Sequence, residues 1–256
     1  MPEWLIERGI GETRCALIED GEIAEARIAL EAATPAGAVL AARLADTGRN
    51  GRNAVVVDER GTEYLLPRGA PGVTEGGGLK IEVTREAIPG AEPWKRALAR
   101  LADEEPGPPP PFEGTELSFP APKDALGEAG WGGLLDEART GIVQFAGGEL
   151  RISPTPAMTL IDVDGYLPPQ ELAAAGAGEA ARAIRRLDIG GSIGIDLPTV
   201  GSKVARQEAA AAIDAVLPQP FERTAVNGFG FVQIVRPRLQ AFEQSLDDKQ
   251  RARLDG

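Results

Sequence analysis

The chain has 256 residues, of which 43% are hydrophobic and 26% are charged, and its formal net charge is −12. This length and composition are typical of a folded chain with one large or two modest domains. No run approaches the roughly 20 apolar residues that a membrane-spanning helix needs. The charged first residues do not resemble a signal peptide, so the sequence predicts a cytoplasmic protein that does not associate with a membrane.

The residue types that the chain lacks exclude several chemistries. It has no histidine and a single cysteine, Cys15. A serine-histidine-aspartate triad, a histidine general base, a disulfide within the chain and a cysteine-clustered zinc site are therefore excluded. Carboxylates, lysine, hydroxyl groups and hard cations held by oxygen remain. The negative charge argues against a non-specific nucleic-acid binder, although basic patches and bound cations can still hold phosphates.

The first 101 residues predict two kinds of β-structure. Residues 1–35 read as strands joined by a turn at Asp20-Gly21. Residues 36–101 form a predicted β-module, in which short apolar segments and turns alternate at the spacing of a barrel or sandwich. Its arginines and aromatic residues suit single-stranded nucleic acid, because bases stack on rings and guanidinium groups meet phosphates. Taken alone, these arginines are better explained as solvated surface charge.

A proline-rich linker separates this module from the rest of the chain. It covers residues 102–116, where four consecutive prolines at 108–111 favour an extended chain. Residues 117–240 then follow the order β-α-β-α-β, which predicts a mostly parallel sheet. We expect a hairpin over 141–152, strands over 157–164, 192–197 and 229–235, and helices over 134–138, 171–187 and 203–217. The polar tail, residues 241–256, is predicted to be helical and shows no readable function.

Two of the predicted strands carry aspartates near their carboxyl ends. Two-residue alternation places Asp162 and Asp164 on one face of the first strand, and Asp196 lies near the end of the second. If a right-handed crossover makes the strands parallel and adjacent, about 4.8 Å apart, Asp162 and Asp196 can share one Mg²⁺. Capping of the following turn or helix is the alternative role for each aspartate.

Two cations begin the helix that follows the second aspartate strand. Lys203 lies near its first residue, and Arg206 is one turn later on the same side. The amino terminus of a helix favours anions. Both side chains are therefore candidates to contact a phosphate next to the metal.

Two motifs resemble the catalytic segments of the ribonuclease E/G family. One is Gly147–Asp164, which runs from a Gly-Gly hairpin into Thr-Leu-Ile-Asp-Val-Asp, and the other is Glu179–Asp196, which ends in Gly-Gly-Ser-Ile-Gly-Ile-Asp. The resemblance makes Asp162 and Asp196 the metal ligands. Asp164 stands where the family has a supporting asparagine.

Weaker similarities to the family extend over nearly the whole chain. Glu12–Gly21 resembles its N-terminal strand pair, and Gly61–Pro67 is similar to its RNA-binding turn, which places Tyr64 near a stacking aromatic. Lys95 falls near its RNA-contacting lysine. The resemblance implies an α/β fold with a split ribonuclease-H-like and DNase-I-like catalytic region, into which an OB-fold β-barrel is inserted at residues 36–101.

The function implied by the resemblance is hydrolytic cleavage of single-stranded RNA to 5′-phosphate products. Mg²⁺, or Mn²⁺, would be held by Asp162 and Asp196, with Asp164 assisting. No motif for 5′-end sensing and no paired cysteines for a zinc link between protomers are found. Cleavage is therefore expected without 5′-end sensing, and the oligomeric state stays open, a homodimer included.

Two other functions remain open. Thr199 replaces an acidic residue that often follows the family's second catalytic aspartate. This replacement and the acidic charge favour a non-catalytic RNA-binding or ribosome-associated protein on a nuclease scaffold. A metal-dependent phosphohydrolase of small molecules would also use the two aspartates, but it leaves the β-module unexplained.

Overall fold

The computed structural model describes residues 2–30, 34–48, 53–87, 96–109 and 113–237. The predicted RNA-contacting Lys95 and the tail at 241–256 lie outside these residues. The strands are β1 (Glu3–Arg8), β2 (Glu12–Glu19), β3 (Glu22–Leu30), β4 (Val39–Asp46), β5 (Ala54–Asp58), β6 (Glu63–Leu66), β7 (Gly78–Arg85), β8 (Ala97–Leu101), β9 (Thr115–Leu117), β10 (Ile142–Phe145), β11 (Gly148–Pro154), β12 (Thr159–Gly165), β13 (Gly191–Asp196), β14 (Glu222–Arg223) and β15 (Phe231–Arg236). The helices are α1 (Ala125–Glu128), α2 (Trp131–Thr140), α3 (Pro169–Arg186) and α4 (Lys203–Val216). None of the described helices is long and apolar enough to cross a membrane.

The N-terminal strands form a four-stranded sheet in the order β3-β2-β1-β9. The predicted turn between β2 and β3 is confirmed: Asp20 and Gly21 both have positive φ, 52° and 88°, the backbone that a two-residue hairpin turn requires. Strand β9 pairs in parallel with β1, and the strands β4 to β8 lie in the chain between β3 and β9 of this sheet. The β-module is therefore an insertion between two strands of one sheet.

The inserted module is a closed five-stranded barrel in the order β4-β5-β6-β8-β7. Strands β6 and β8 are parallel, and β4 pairs with β7 to close the barrel. Its core consists of inward-pointing side chains, among them Leu44, Val56, Leu66, Ile81 and Val83. The predicted barrel is confirmed, and its strand order is compatible with an OB-type barrel.

The C-terminal sheet has six strands in the order β10-β11-β12-β13-β15-β14. Only β12 and β13 are parallel, and every other neighbouring pair is antiparallel. The prediction of a mostly parallel sheet is therefore wrong. Helix α4 returns the chain to the edge of the sheet at which β13 begins. The two-residue β14 then runs in the same direction as β13, and the turn after β14 reverses the chain into β15.

Helix α3 lies between the N-terminal sheet and the C-terminal sheet. It contacts β3 on one side and β10, β11 and β12 on the other, and ten of its 18 residues are buried. A helix buried on most of its circumference needs small side chains, and α3 is rich in alanine. At Gly176 an added Cβ would lie 2.3 Å from Cγ1 of Val163 on β12, so this glycine allows the close approach that supports the aspartate strand.

Half-buried ion pairs join the two sheets. Arg185 near the end of α3 donates hydrogen bonds to Glu19 at 2.7 and 3.0 Å and to Glu25 at 2.9 Å. Arg27 on β3 forms an ion pair with Asp188, just after α3, at 2.7 Å. The N-terminal sheet is thus fixed to the helix that carries the C-terminal sheet on its other side.

Candidate functional site

Asp162 and Asp196 lie opposite each other on the parallel strands β12 and β13, which confirms the predicted pairing. Neighbouring strands are about 4.8 Å apart. Asp164 shares the exposed face of β12 with Asp162, whereas Ile161 and Val163 are buried against the helices. Asp196 is the last residue of β13 and is also exposed. The structure thus brings all three predicted carboxylates together at one edge of the sheet.

The electrostatics of this edge appear in the pKa of Asp162, which is raised above its ordinary value. Partial desolvation of the carboxyl group is the largest cause, and repulsion by Asp164 and then by Asp196 adds to it. A backbone hydrogen bond from Val163 and the nearby Arg151 act in the opposite direction without cancelling the effect. A raised carboxyl pKa beside two other carboxylates indicates an excess of negative charge, which a bound cation would relieve.

Arg151 is a site residue that the sequence analysis missed. It lies on β11 directly opposite Asp162, and its neighbour on the same face, Glu149, lies opposite Asp164. The two form an ion pair, in which the Arg151 side chain is 57% exposed. In the sequence Arg151 is an ordinary strand residue eleven positions before Asp162, and only the register of the antiparallel pair brings the two together.

The donor set fits a hard cation that is bound jointly with a phosphate. Across the described ranges, no group of three or more aspartates, glutamates or cysteines is arranged to hold a metal ion. Mg²⁺ is commonly bound by one or two carboxylates together with water and substrate phosphate oxygens. Asp162 and Asp196 supply two such carboxylates on adjacent strands, which suits a metal shared between protein and substrate.

The two cations of α4 have different surroundings. Nη1 of Arg206 donates hydrogen bonds to the backbone oxygens of Val200 at 2.9 Å and Gly201 at 3.1 Å. Arg206 therefore holds the loop between β13 and α4, and its contact with phosphate stays a prediction. Lys203, the first residue of α4, is exposed. It is free to approach a ligand from the side where β13 ends.

The prediction that Tyr64 stacks on a base is wrong. Its side chain is 1% exposed and lies in the barrel core. Its hydroxyl donates a hydrogen bond to Oδ2 of Asp58 at 3.1 Å, and desolvation raises its pKa. Strand β6 alternates so that Tyr64 and Leu66 point inward, and a ring in this position presents no face to a base.

Three cations of the barrel lie beside carboxylates. The ion pairs are Arg96–Glu63 at 3.0 Å, Arg100–Glu82 at 2.5 Å and Lys80–Glu105 at 3.1 Å. Exposed pairs of this kind are screened by solvent and add little free energy. They agree with the interpretation of the barrel arginines as solvated surface charge.

Two exposed aromatic residues lie beyond the edge of the sheet that carries the aspartates, and the sequence analysis missed both. Tyr166, 84% exposed, follows β12 four residues after Asp162, and Phe229, 82% exposed, precedes β15. Strand β15 runs antiparallel to β13, with Phe231 opposite Asp196. Residues before Phe231 and residues after Asp162 therefore extend beyond the same edge of the sheet. Neither ring belongs to a recognisable motif, so only the topology identifies them.

Comparison with known proteins assigns no function to the chain, so a functional assignment is based on the chemistry of this edge. No protein-family model matches the chain, and no curated protein matches it. The resemblance to the ribonuclease E/G family therefore depends on the two aspartate motifs themselves.

Proposed function

We propose that the protein is a metal-dependent endoribonuclease that cleaves single-stranded RNA by hydrolysis. The observation that carries this proposal is the register of β12 and β13, which places Asp162 opposite Asp196 at the carboxyl edge of a parallel strand pair. Ligand sites of open α/β sheets form at this edge. Two facing carboxylates favour a divalent cation, which removes their mutual repulsion.

In the proposed mechanism Asp162 and Asp196 would hold Mg²⁺ or Mn²⁺, and Asp164 would be an auxiliary ligand or orient water. A metal bound there would supply an activated water molecule and would neutralise charge on the scissile phosphate. Arg151, opposite Asp162, is placed to attract a phosphate oxygen, and Lys203 and Arg206 approach from the start of α4.

The products follow from the residues that are available. The chain contains no histidine, so the metal-free route that uses histidine to activate the ribose 2′-hydroxyl group is absent. Attack by water with cleavage of the bond between phosphorus and the 3′-oxygen leaves a 5′-phosphate and a 3′-hydroxyl group. No 5′-end recognition is required for this reaction.

The test is incubation of the full chain with a labelled single-stranded RNA in Mg²⁺ or in EDTA. We expect internal cuts with 5′-phosphate ends in Mg²⁺, none in EDTA, and a loss of at least about 1,000-fold in Asp162→Asn, equal to about 4 kcal/mol of transition-state stabilisation. Asp136→Asn on α2, an exposed carboxylate on the opposite side of the sheet, is the matched control. Cleavage that survives EDTA or the Asp162 substitution would refute the mechanism.

One observation favours a second function, a non-catalytic RNA-binding protein. Arg151 lies opposite Asp162, and its charge partly offsets the rise in the pKa of Asp162, so part of the negative charge is already balanced without a metal. Intact RNA that stays bound in both Mg²⁺ and Mn²⁺ would support this function. In that case Asp162 and Asp196 would be structural residues.

A further inference from the structure

The two most exposed aromatic side chains of the described residues lie at the same edge of one sheet. Tyr166 and Phe229 are 84% and 82% exposed, and Phe119, the next, is 48% exposed and lies outside this sheet. Aromatic side chains are usually at least partly covered, since each buries a large apolar area. The coincidence of both rings with the aspartate edge indicates a surface that binds a flat, apolar group.

The backbone at Phe229 is held while its ring is left in solvent. The Phe229 amide donates a hydrogen bond to Oδ1 of Asn227 at 2.8 Å, and its carbonyl oxygen accepts one from the Thr199 hydroxyl at 3.0 Å. Thr199 belongs to the loop that follows Asp196. The position of the ring is therefore coupled to the loop that leaves the aspartate site.

Tyr166 is held in a similar way on the other side. Its amide donates a hydrogen bond to the carbonyl oxygen of Gly147 at 3.1 Å, in the turn between β10 and β11. Tyr166 lies at most about 13 Å beyond Asp162 along β12, and Phe229 about 7 Å beyond the level of Asp196. With β13 between β12 and β15, the backbones of these two strands are about 10 Å apart. Both rings thus lie beyond the aspartates on the same side, on the strands that border β13.

The charge of this edge determines which part of a nucleic acid it can attract. Three aspartates share the edge, and the whole chain carries a net charge of −12. Attraction of phosphates by cations, which usually dominates nucleic-acid affinity, is opposed here by these carboxylates. Stacking of bases on aromatic rings does not depend on charge and accepts every base.

We infer that Tyr166 and Phe229 stack on unpaired bases of single-stranded RNA, next to the phosphate that lies at Asp162 and Asp196. The inference rests on the proposed function and names the part of the substrate that supplies the binding affinity. Duplex RNA keeps its bases stacked on one another and offers none to the rings, so the two rings select single strands. Both are positioning residues, because neither touches the reacting atoms.

The test measures binding in an Asp162→Asn background, so that it does not require cleavage. The probes are a labelled single-stranded RNA of ten nucleotides and an abasic strand with the same backbone. We expect Tyr166→Ala and Phe229→Ala each to weaken RNA binding about tenfold and to leave abasic binding unchanged. Tyr166→Phe, which keeps the ring, and Phe119→Ala, the matched exposed ring elsewhere, should bind RNA like the parent.

The outcomes separate this inference from the proposed function. Equal RNA binding by the parent and both alanine variants, or equal losses for RNA and abasic strand, would overturn the stacking. In the protein with Asp162 intact, the alanine variants should raise KM about tenfold with kcat nearly unchanged. Normal KM values in these variants, together with cleavage that depends on Asp162, would overturn the stacking and leave the nuclease. Ring-dependent binding without any cleavage would retain stacking and reject the nuclease.

Discussion

In the barrel, three described cations pair with neighbouring carboxylates and the ring of Tyr64 is buried, whereas the C-terminal sheet exposes three aspartates and two aromatic rings at one edge. The barrel is closed, so its inward residues fill the core. The sheet instead ends in loops beyond a parallel strand pair, where like charges accumulate on one face. The pKa of Asp162, raised first by desolvation and then by the neighbouring aspartates, thus marks this edge as the candidate site more clearly than the number of arginines marks the barrel.

The largest expected effect is a difference in RNA cleavage between a variant of the aspartate edge and a variant of the barrel. Asp196→Asn should lower kcat/KM for RNA cleavage by at least about 1,000-fold, because it removes one of the two proposed metal ligands. Arg100→Gln in the barrel should change kcat/KM by less than about threefold, since the guanidinium group is already paired with Glu82. Steady-state kinetics on one RNA measure both, and a comparable loss in Arg100→Gln would give the barrel an equal share in the reaction.

The support of the aspartate strand should be sensitive to a single methyl group. Gly176→Ala should lower the free energy of unfolding by about 1–3 kcal/mol, because the new Cβ would lie 2.3 Å from Val163. At Gly178 the nearest atoms lie 3.9 Å from an added Cβ. Gly178→Ala is therefore the matched control, and it should be neutral or stabilising by up to about 1 kcal/mol, as alanine favours a helix. Urea denaturation compares the two, and equal destabilisation would contradict the close approach.

Ion pairs should differ in strength between the two regions. Arg185→Met should destabilise the fold by about 1–3 kcal/mol, because Glu19 and Glu25 lose a half-buried partner. Arg100→Met in the barrel, where the side chain is 65% exposed, should cost less than about 0.5 kcal/mol. Equal values for the two variants would show that burial does not distinguish these pairs.

The stability that Arg185 contributes depends on pH in a defined direction. The hydrogen bonds from Arg185 lower the pKa of Glu19 below its ordinary value of 4.5. A carboxyl group whose folded pKa is depressed stabilises the fold above the unfolded pKa and loses this contribution as pH falls through the folded pKa. The difference between wild type and Arg185→Met should therefore be full at neutral pH and shrink below 4.5. Denaturation at several pH values measures it.

Tyr64 provides a smaller test inside the barrel. Tyr64→Phe removes the hydrogen bond to Asp58 and should lower the free energy of unfolding by about 1 kcal/mol. RNA affinity should not change, because the ring is buried and stays in place. Weaker RNA binding by a variant that is otherwise normally folded would restore a role for this residue in recognition.

The smallest effect concerns the metal-free site. Because the pKa of Asp162 is raised, its ionised form is less favourable in the folded chain than in the unfolded chain at neutral pH. Asp162→Asn should therefore stabilise the metal-free protein, by no more than about 1 kcal/mol after solvent screening. Millimolar Mg²⁺ should raise the Tm of the wild type and not that of Asp162→Asn. Thermal unfolding with and without Mg²⁺ measures these changes. An equal change in the Tm of both proteins would contradict a metal site.

Sequence reasoning succeeded where the signal was local or repeated. The Asp20-Gly21 turn needs only the backbone preferences of two residues, and the parallel pairing of β12 with β13 follows from the helix between them. It failed at β15, because β14 has two residues and too little pattern to reveal the hairpin that reverses the chain. It failed at Tyr64 because a four-residue strand does not show which of its two faces is buried.

By itself, the sequence determined the separate β-module, the strands and helices that carry the aspartates, and the shared face of Asp162 and Asp164, since alternation along one strand is a local property. Only the tertiary structure decided that Arg151 lies opposite Asp162 and that Tyr166 and Phe229 extend beyond the same edge. These relations depend on the register and direction of strands that are distant in the chain. Register is set by how whole faces pack on the core, which no short segment of sequence contains.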